Sequence, residues 1–316
     1  VLSSLAQLAE MENYCQPDVN HDYDIRIMGG RHPVVEQTLK NGEFVPNDIY
    51  LNHIDKKIMI LTGPNMAGKS TYMRQTALIV LLAQIGSFVP ADSAIIGITD
   101  RIFTRVGAAD DLAAGQSTFM VEMNEVAQIM RNASSRSLLI LDEIGRGTGT
   151  YDGLSIAWSV IEHIADENYL NARTLFATHY HELTDIADKT KGIFNCHITT
   201  NNQNDKIEFL HHIEEGAAGQ SYGIEVAELA GVPDPVVNRA RDILYQLEKD
   251  NKGRRLIIKN TARPLDGQVD LFSAAQSFNQ SNKVIDRLKN IDLDYVSPVD
   301  ARNILEELIA EAKGKK

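Results

Sequence analysis

Apolar residues along the chain fall into two alternating textures. Short dense runs, KKIMILTG at 56–63 and SLLILDE at 137–143, have the length of buried strands. Longer stretches repeat at spacings of three and four. TYMRQTALIVLLAQIG at 71–86 is one. Another begins at AAGQSTFMVEMNEVAQIM, 113–130, where Phe119, Met120, Met123, Val126 and Met130 share a helical face and Ser117 and Thr118 stand where an N-cap belongs. Further strands are predicted at 94–98, 102–106, 173–179, 193–200 and 206–212, with helices near 118–132 and 153–166. HDYDIRIMGGRHPVVEQ, 21–37, reads as a strand closing in a turn at Gly29 and Gly30. Strands alternating with helices predict an α/β core, mostly parallel, with some antiparallel additions.

The ends have a different texture. The opening VLSSLAQLAEMENYC is an amphipathic helix with Leu2, Leu5, Leu8 and Ala9 on one face. From Gly216 the pattern predicts two helices, Gly223 to Ala230 and Pro235 to Lys249, around a GVPDP turn, the second starting at a proline as helix N-termini allow. Residues 251–289 are polar and aperiodic, a predicted linker. SPVDARNILEELIAEAK, 297–313, is a capped amphipathic helix with Ile304, Leu305, Leu308 and Ile309 on one side. The expected organisation is therefore a connector helix at 1–21, a main α/β domain at 22–215, a helical pair at 216–250, a linker at 251–289 and terminal helices at 290–316.

With 316 residues and 43% hydrophobic content, there is material for one large or two modest cores. No apolar run approaches the roughly 20 residues of a membrane span. Cys15 and Cys196 fit neither a disulfide framework nor a CxxC pair, which suggests structural roles in a reducing cytoplasm. A start at Val1 reads as a cut through a longer protein. The net charge of −12 argues against a large nucleic-acid surface, which needs clustered Lys and Arg.

The chemistry concentrates in three places. Gly63, Pro64, Asn65, Met66, Ala67, Gly68, Lys69 and Ser70 complete the G-x-x-x-x-G-K-[ST] phosphate loop between a predicted strand and helix. In such a loop backbone amides cradle phosphates, Lys69 neutralises β and γ oxygens, and Ser70 ligates Mg²⁺. Asp142 and Glu143 end a strand that lies beside such loops. Asp142 is expected to hold Mg²⁺ and Glu143 to polarise the attacking water, whereas alone the pair would be an ordinary acidic turn. ATHYHEL places His179 at the end of the next strand, within reach of a γ-phosphate; capping the following helix is the plainer role. Its H-x-H-E pattern, with His181 and Glu182, offers no fourth ligand at a recognisable spacing for a metal. Guanine recognition is missing, because Asn282, Lys283 and Asp286 have the wrong spacing for Asn-Lys-x-Asp. Adenine is the expected base.

Together, TGPNMAGKSTYMRQ, DRIFTRVGAADDLAAGQSTFMVEM, LDEIGRGTGTYDGLSIAW and TLFATHYHEL resemble the ATPase domain of the MutS family of DNA mismatch repair proteins, over about Gly30 to Leu247. The resemblance implies a P-loop NTPase fold of the ABC type, in which a signature helix of one subunit closes over nucleotide held by the other. It implies ATP/ADP and Mg²⁺ as ligands, Phe44 stacked on adenine with His211 near the ring, Thr71 within the nucleotide loop, Asn65 on the γ-phosphate and Ser117 on the γ-phosphate in trans. Gly149 stands where the family commonly has serine. The helices at 216–250 resemble the family's helix-turn-helix, which packs on the partner subunit. The last helix resembles a bacterial oligomerisation segment, and QVDLF, with Gln268, Leu271 and Phe272, resembles a peptide that docks on the replication sliding clamp. The implied partners are a second copy or a tetramer, MutL, and mismatched DNA bound by parts outside this chain. No nuclease-like tail is seen, and the expected location is the cytoplasm, at the nucleoid. Competing readings are another ABC-class ATPase, opposed by AGQSTFM in place of Leu-Ser-Gly-Gly-Gln, and a nucleotide-dependent dimerisation module that does not hydrolyse.

Overall fold

A computed structural model of the chain describes residues 1–39, 44–64, 67–106, 117–203, 206–217 and 222–261. The chain divides into two compact units, Val1–Arg241 and Asp242–Lys316. The first unit holds two sheets. The larger contains β4 (Ile58–Thr62), β6 (Ile102–Arg105), β7 (Leu138–Asp142), β8 (Arg173–Ala177), β9 (Ile193–Gln203) and β10 (Lys206–Glu215), in the order β10-β9-β4-β8-β7-β6. Every pairing is parallel except β9 with β10. The smaller sheet orders β1 (Asp18–Asn20), β5 (Ser93–Gly97), β2 (Ile25–Gly30) and β3 (Asn47–Leu51). The α/β expectation with antiparallel additions is met.

The reason for the layering is legible in β4. All five of its residues are buried, yet they serve different sides. Met59 and Leu61 pack with the smaller sheet and α3 (Lys69–Gln84), through Ile25, Ile27, Tyr72 and Ile79. Ile58 and Ile60 pack with α4 (Thr118–Asn132) and α5 (Thr150–Ala165), through Val126, Ile129, Ala157 and Ile161. The period of two delivers alternate side chains to opposite layers. Each such fully buried aliphatic contributes about 1.5–3 kcal/mol.

One cation ties the two sheets together. Arg173, wholly buried at the start of β8, donates to the carbonyls of Tyr23 (2.8 Å), Gly97 (3.3 Å) and Arg136, and to the Thr99 hydroxyl (3.0 Å). Burial, with Arg136 nearby, lowers its pKa to about 10, and the fan of carbonyls satisfies most of its donors.

Several expectations need correction. Gly29 and Gly30 do not end β2 in a turn; they lie inside it, at a bulge where the register against β3 shifts. Gly29 has φ +58 there, and its N–H donates to Asp48 Oδ1 at 2.7 Å. In α1 (Leu2–Met11) only Ala9 is buried and Leu2 is 80% exposed, so among the described residues the leucine face is largely uncovered. In α4 the core face is Glu122, Val126 and Ile129, while Met120 points outward. Strands β1 and β3 and the one-turn α2 (Val35–Thr38) were not among the predicted elements.

The helical pair forms as expected, as α6 (Gly223–Leu229) and α7 (Asp234–Thr261). Val237 is buried, and Arg241 pairs with Glu228 across the two helices. The predicted linker from 251 is helix as far as Thr261. Lys, Arg, Leu and Ile make up most of this stretch, and no proline follows Pro235 until Pro264. The terminal amphipathic helix lies outside the described residues.

Candidate functional site

The site stands where parallel strands end. Leu61 of β4 and Asp142 of β7 both pair in register with Ala177 of β8, so three strand ends are level at one edge. In open α/β sheets ligands bind outside this carboxyl edge. After β4 the chain turns through Gly63 (φ +135) and Pro64, and Gly68 at φ +105 caps α3. A left-handed residue is needed to aim the first turn of α3 back over the strand, and glycine alone adopts it without strain. Ala67 is buried beneath. Asn65 and Met66 lie outside the described residues.

On one side of this turn is a polar cavity of about 260 Å³ lined by Lys69, Ser70, Arg74, Asp142, Glu143 and Arg146, with Val106. Ser70 Oγ donates to Asp142 Oδ2 at 2.7 Å, and the Lys69 ammonium donates to the Gly63 carbonyl. Both charges are nearly out of water. Burial lowers the Lys69 pKa against the pull of Glu143 and Asp142, and burial raises the Asp142 carboxyl against the Ser70 hydrogen bond. Glu143 follows at φ +53, a rare conformation for a non-glycine residue, with its carboxylate on Arg146. A hydroxyl beside a carboxylate is a hard oxygen donor set that suits Mg²⁺, and a buried ammonium at a helix start suits phosphate. The residues present fit both groups.

On the other side is a cavity of about 250 Å³, mostly apolar, whose walls include Phe44, Val45, Gly68, Thr71, Ile198 and His211. His211 arrives from a bulge in β10, where the register jumps between Phe209 and Ile213. It has φ +55, and its Nδ1 lies 2.8 Å from the Ala67 carbonyl. Asn47 of β3 holds the bulge by donating to the His211 carbonyl (2.9 Å) and accepting from the Ile213 N–H (2.8 Å).

The structure thus brings Lys69, Ser70, Asp142 and Glu143 to one cavity, and Phe44, Ala67, Gly68, Thr71 and His211 to its neighbour. His179 lines neither. Its surface is exposed and its ring lies tilted, 4.1 Å from the Tyr180 ring; partial loss of hydration against neighbouring residues lowers its pKa below the ordinary histidine value while Glu143 draws it up. Ser117 is exposed at the start of α4, where its Oγ accepts the Met120 N–H at 3.2 Å. It faces neither cavity of its own chain. His181 and Glu182 are exposed, and no cluster of metal-ligating side chains occurs among the described residues. Gly149 caps α5 with no side-chain bond. Gln268, Leu271 and Phe272 lie outside the described residues. Sequence reasoning missed Arg74 and Arg146, which stand four and three residues beyond Ser70 and Glu143, one helical turn or loop reach away.

Fold and site define the class: a mixed α/β protein with a polar cavity, lined by a buried lysine and a serine–aspartate pair, on one side of a glycine turn and an apolar slot on the other. Residues 59–248 match MutS domain V. The chain belongs to the MutS family. It is 56% identical over 315 residues to the DNA mismatch repair protein MutS of Acetivibrio thermocellus, covering 99% of this chain and 36% of that protein. It is 55% identical over 308 residues to the protein of that name from Ruminiclostridium cellulolyticum, covering 98% and 35%. Against that of Lachnoclostridium phytofermentans it is 58% identical over 275 residues, covering 85% and 30%. The chain spans about a third of the length of these curated relatives. No described helix is long and apolar enough to cross a membrane.

Proposed function

We propose that the chain is the ATP-binding, ATP-hydrolysing and dimerising part of a DNA mismatch repair protein, built as an ABC-type P-loop NTPase followed by a helix-turn-helix. One observation carries this reading: Ser70 and Asp142, 72 residues apart in sequence, meet at 2.7 Å beside the buried Lys69 and next to a mostly apolar slot. In this reading backbone groups from Gly63 to Thr71 cradle the phosphates and Lys69 neutralises them. Ser70 and Asp142 would hold Mg²⁺, which supplies positive charge at the β and γ oxygens. Glu143 polarises the attacking water, Asn65 contacts the γ-phosphate, and His179, outside the cavity wall but within reach of the charge on Glu143, is assigned to the same phosphate. Phe44 and His211 hold adenine, and Ser117 completes the site of a second copy.

From the family resemblance of its motifs, the nucleotide state would control mismatched-DNA binding by the longer protein and its signalling to MutL, in the cytoplasm at the nucleoid. A tetramer through the C-terminus and sliding-clamp docking through Gln268, Leu271 and Phe272 belong to the same proposal. A second reading, a nucleotide-dependent latch without hydrolysis, is favoured by one contact, the Arg146 guanidinium on the Glu143 carboxylate. Phosphate release decides. Ser117→Ala and Glu143→Ala chains are each expected to be inactive, and their mixture to recover turnover, because one composite site then has every group intact. No recovery, with an active wild type, overturns the shared site; an inactive wild type leaves the latch.

A further inference from the structure

The helix that starts at Ser117 is bolted to the loop that carries Glu143. One turn into α4, Glu122 is 4% exposed, and its Oε1 accepts the N–H of Gly145 at 2.5 Å. The other oxygen faces Arg105, at the end of β6, with Nη2 3.7 Å away, and Arg105 Nε lies 3.0 Å from Glu125. The Gly145 carbonyl is held as well, by the Tyr180 hydroxyl at 3.0 Å. Burial and the Glu122 carboxylate push that hydroxyl's pKa up, so it stays a donor.

Packing leaves the loop no slack. A Cβ on Gly145, which has φ +88, would fall 2.4 Å from the Gly153 carbonyl oxygen in α5. A Cβ on Gly147 would fall 3.0 Å from Phe119 Cβ, two residues past Ser117. The loop between Asp142 and α5 is therefore gripped by α4, α5 and Tyr180; Arg146 and Glu143 pair within it, and the charge-assisted bond that ties it to α4 is the one from Glu122. Such a bond to a buried carboxylate is strong and directional.

Resting on the ATPase reading above, we infer that Glu122 is a positioning residue. It sets the loop that holds Glu143, and it makes any shift of α4, when Ser117 engages a neighbour's nucleotide, a shift of the chain's own Glu143. One protomer thereby links two sites: the one it completes and the one it contains. No group of Glu122 touches nucleotide in this account; it acts through Gly145.

Two substitutions separate this role from simple charge pairing. Glu122→Asp keeps the charge facing Arg105 but withdraws the carboxylate by about 1.5 Å, beyond hydrogen-bond reach of Gly145. Glu122→Gln keeps an acceptor oxygen at Gly145 and gives up the charge. Because displacements of about 1 Å cost up to about a hundredfold in rate, the Asp variant should lose roughly tenfold to a hundredfold in kcat. Its ATP affinity should be unchanged, and the Gln variant should stay closer to wild type. Asp equal to or faster than Gln overturns the inference.

Mixing adds a readout that a merely structural role would not move. If Glu122 serves Glu143 of its own chain, Glu122→Asp is rescued by Ser117→Ala and not by Glu143→Ala. The reverse pattern assigns Glu122 to Ser117 and overturns the inference. Failure of the control mixture, Ser117→Ala with Glu143→Ala, would instead remove the shared-site reading beneath it.

Discussion

Asp142 is 7% exposed, and its carboxyl titrates above the ordinary carboxylate value because burial outweighs the Ser70 hydrogen bond. A carboxyl whose folded pKa is raised binds its proton more readily folded than unfolded. Its ionisation therefore costs stability, in full above the folded pKa and not at all below the unfolded value of about 3.9. Asp142→Asn keeps an acceptor for Ser70 and removes the charge. The variant should melt higher than wild type at pH 7 without nucleotide, and the difference should vanish as pH falls to about 4. Turnover should fall by roughly a hundredfold or more, as when a charged group of a catalytic constellation is removed. Thermal melts at the two pH values check the first part, and a wild type that melts at or above the variant at pH 7 contradicts it. The site keeps a charge that the fold alone would discard.

At the scale of elements, the contact that matters is between the Asp142–α5 loop and the first turn of α5. A Cβ on Gly153 would lie 2.1 Å from the Gly145 carbonyl oxygen and 2.4 Å from the Tyr180 hydroxyl. The first of these is backbone, which cannot swing aside. Gly153→Ala should cost about 1–3 kcal/mol in denaturant unfolding, the range for overpacking, and should slow turnover by displacing the Glu143 loop. Gly223→Ala, in α6 with no described residue within 4 Å, is the control and should be neutral or slightly stabilising. These elements differed in how far their sequences announced them. Strands β4 and β7 are five-residue runs buried throughout and almost wholly apolar, so a dense apolar pattern was enough; β8 is buried as fully but opens on Arg173 and Thr174, and only its Leu-Phe-Ala end carries that pattern. Strand β3 hid because its buried first residue is polar: Asn47 is accounted for only by Val45, His211 and Ile213, the last two more than 160 positions away. In α4 the apolar period selected Met120, yet a carboxylate occupies the core face, and nothing local to Glu122 reveals its partner 23 residues on. Lys69, Ser70, Asp142 and Glu143 were legible because each sits in a contiguous motif; the slot of Phe44 and His211 needed the family resemblance, since a bulge and a distant strand assemble it.

For the whole molecule, the arrangement of groups and the net charge together constrain association. One chain gathers Lys69, Ser70, Asp142 and Glu143 around a single cavity while Ser117 stays exposed and faces neither cavity. If Ser117 serves a neighbour, turnover per chain must rise with chain concentration and level off once dimers form. Each copy carries a formal charge of −12, so two copies repel before they dock. Salt shortens the reach of that repulsion, from about 30 Å at 0.01 M to about 8 Å at 0.15 M. At a fixed, subsaturating chain concentration, turnover should therefore be higher at 0.15 M salt than at 0.01 M, the opposite of the salt response of a nucleic-acid contact. Sedimentation gives the same test without catalysis. With ATP, the Glu143→Ala chain should accumulate as a dimer because it binds without hydrolysing, and its dimer fraction should grow with salt over this range. The Ser117→Ala chain should remain monomeric under the same conditions. Turnover per chain that is independent of concentration, together with a Glu143→Ala chain that stays monomeric in ATP, would place the complete reaction within one copy and leave Ser117 as the cap of α4 alone.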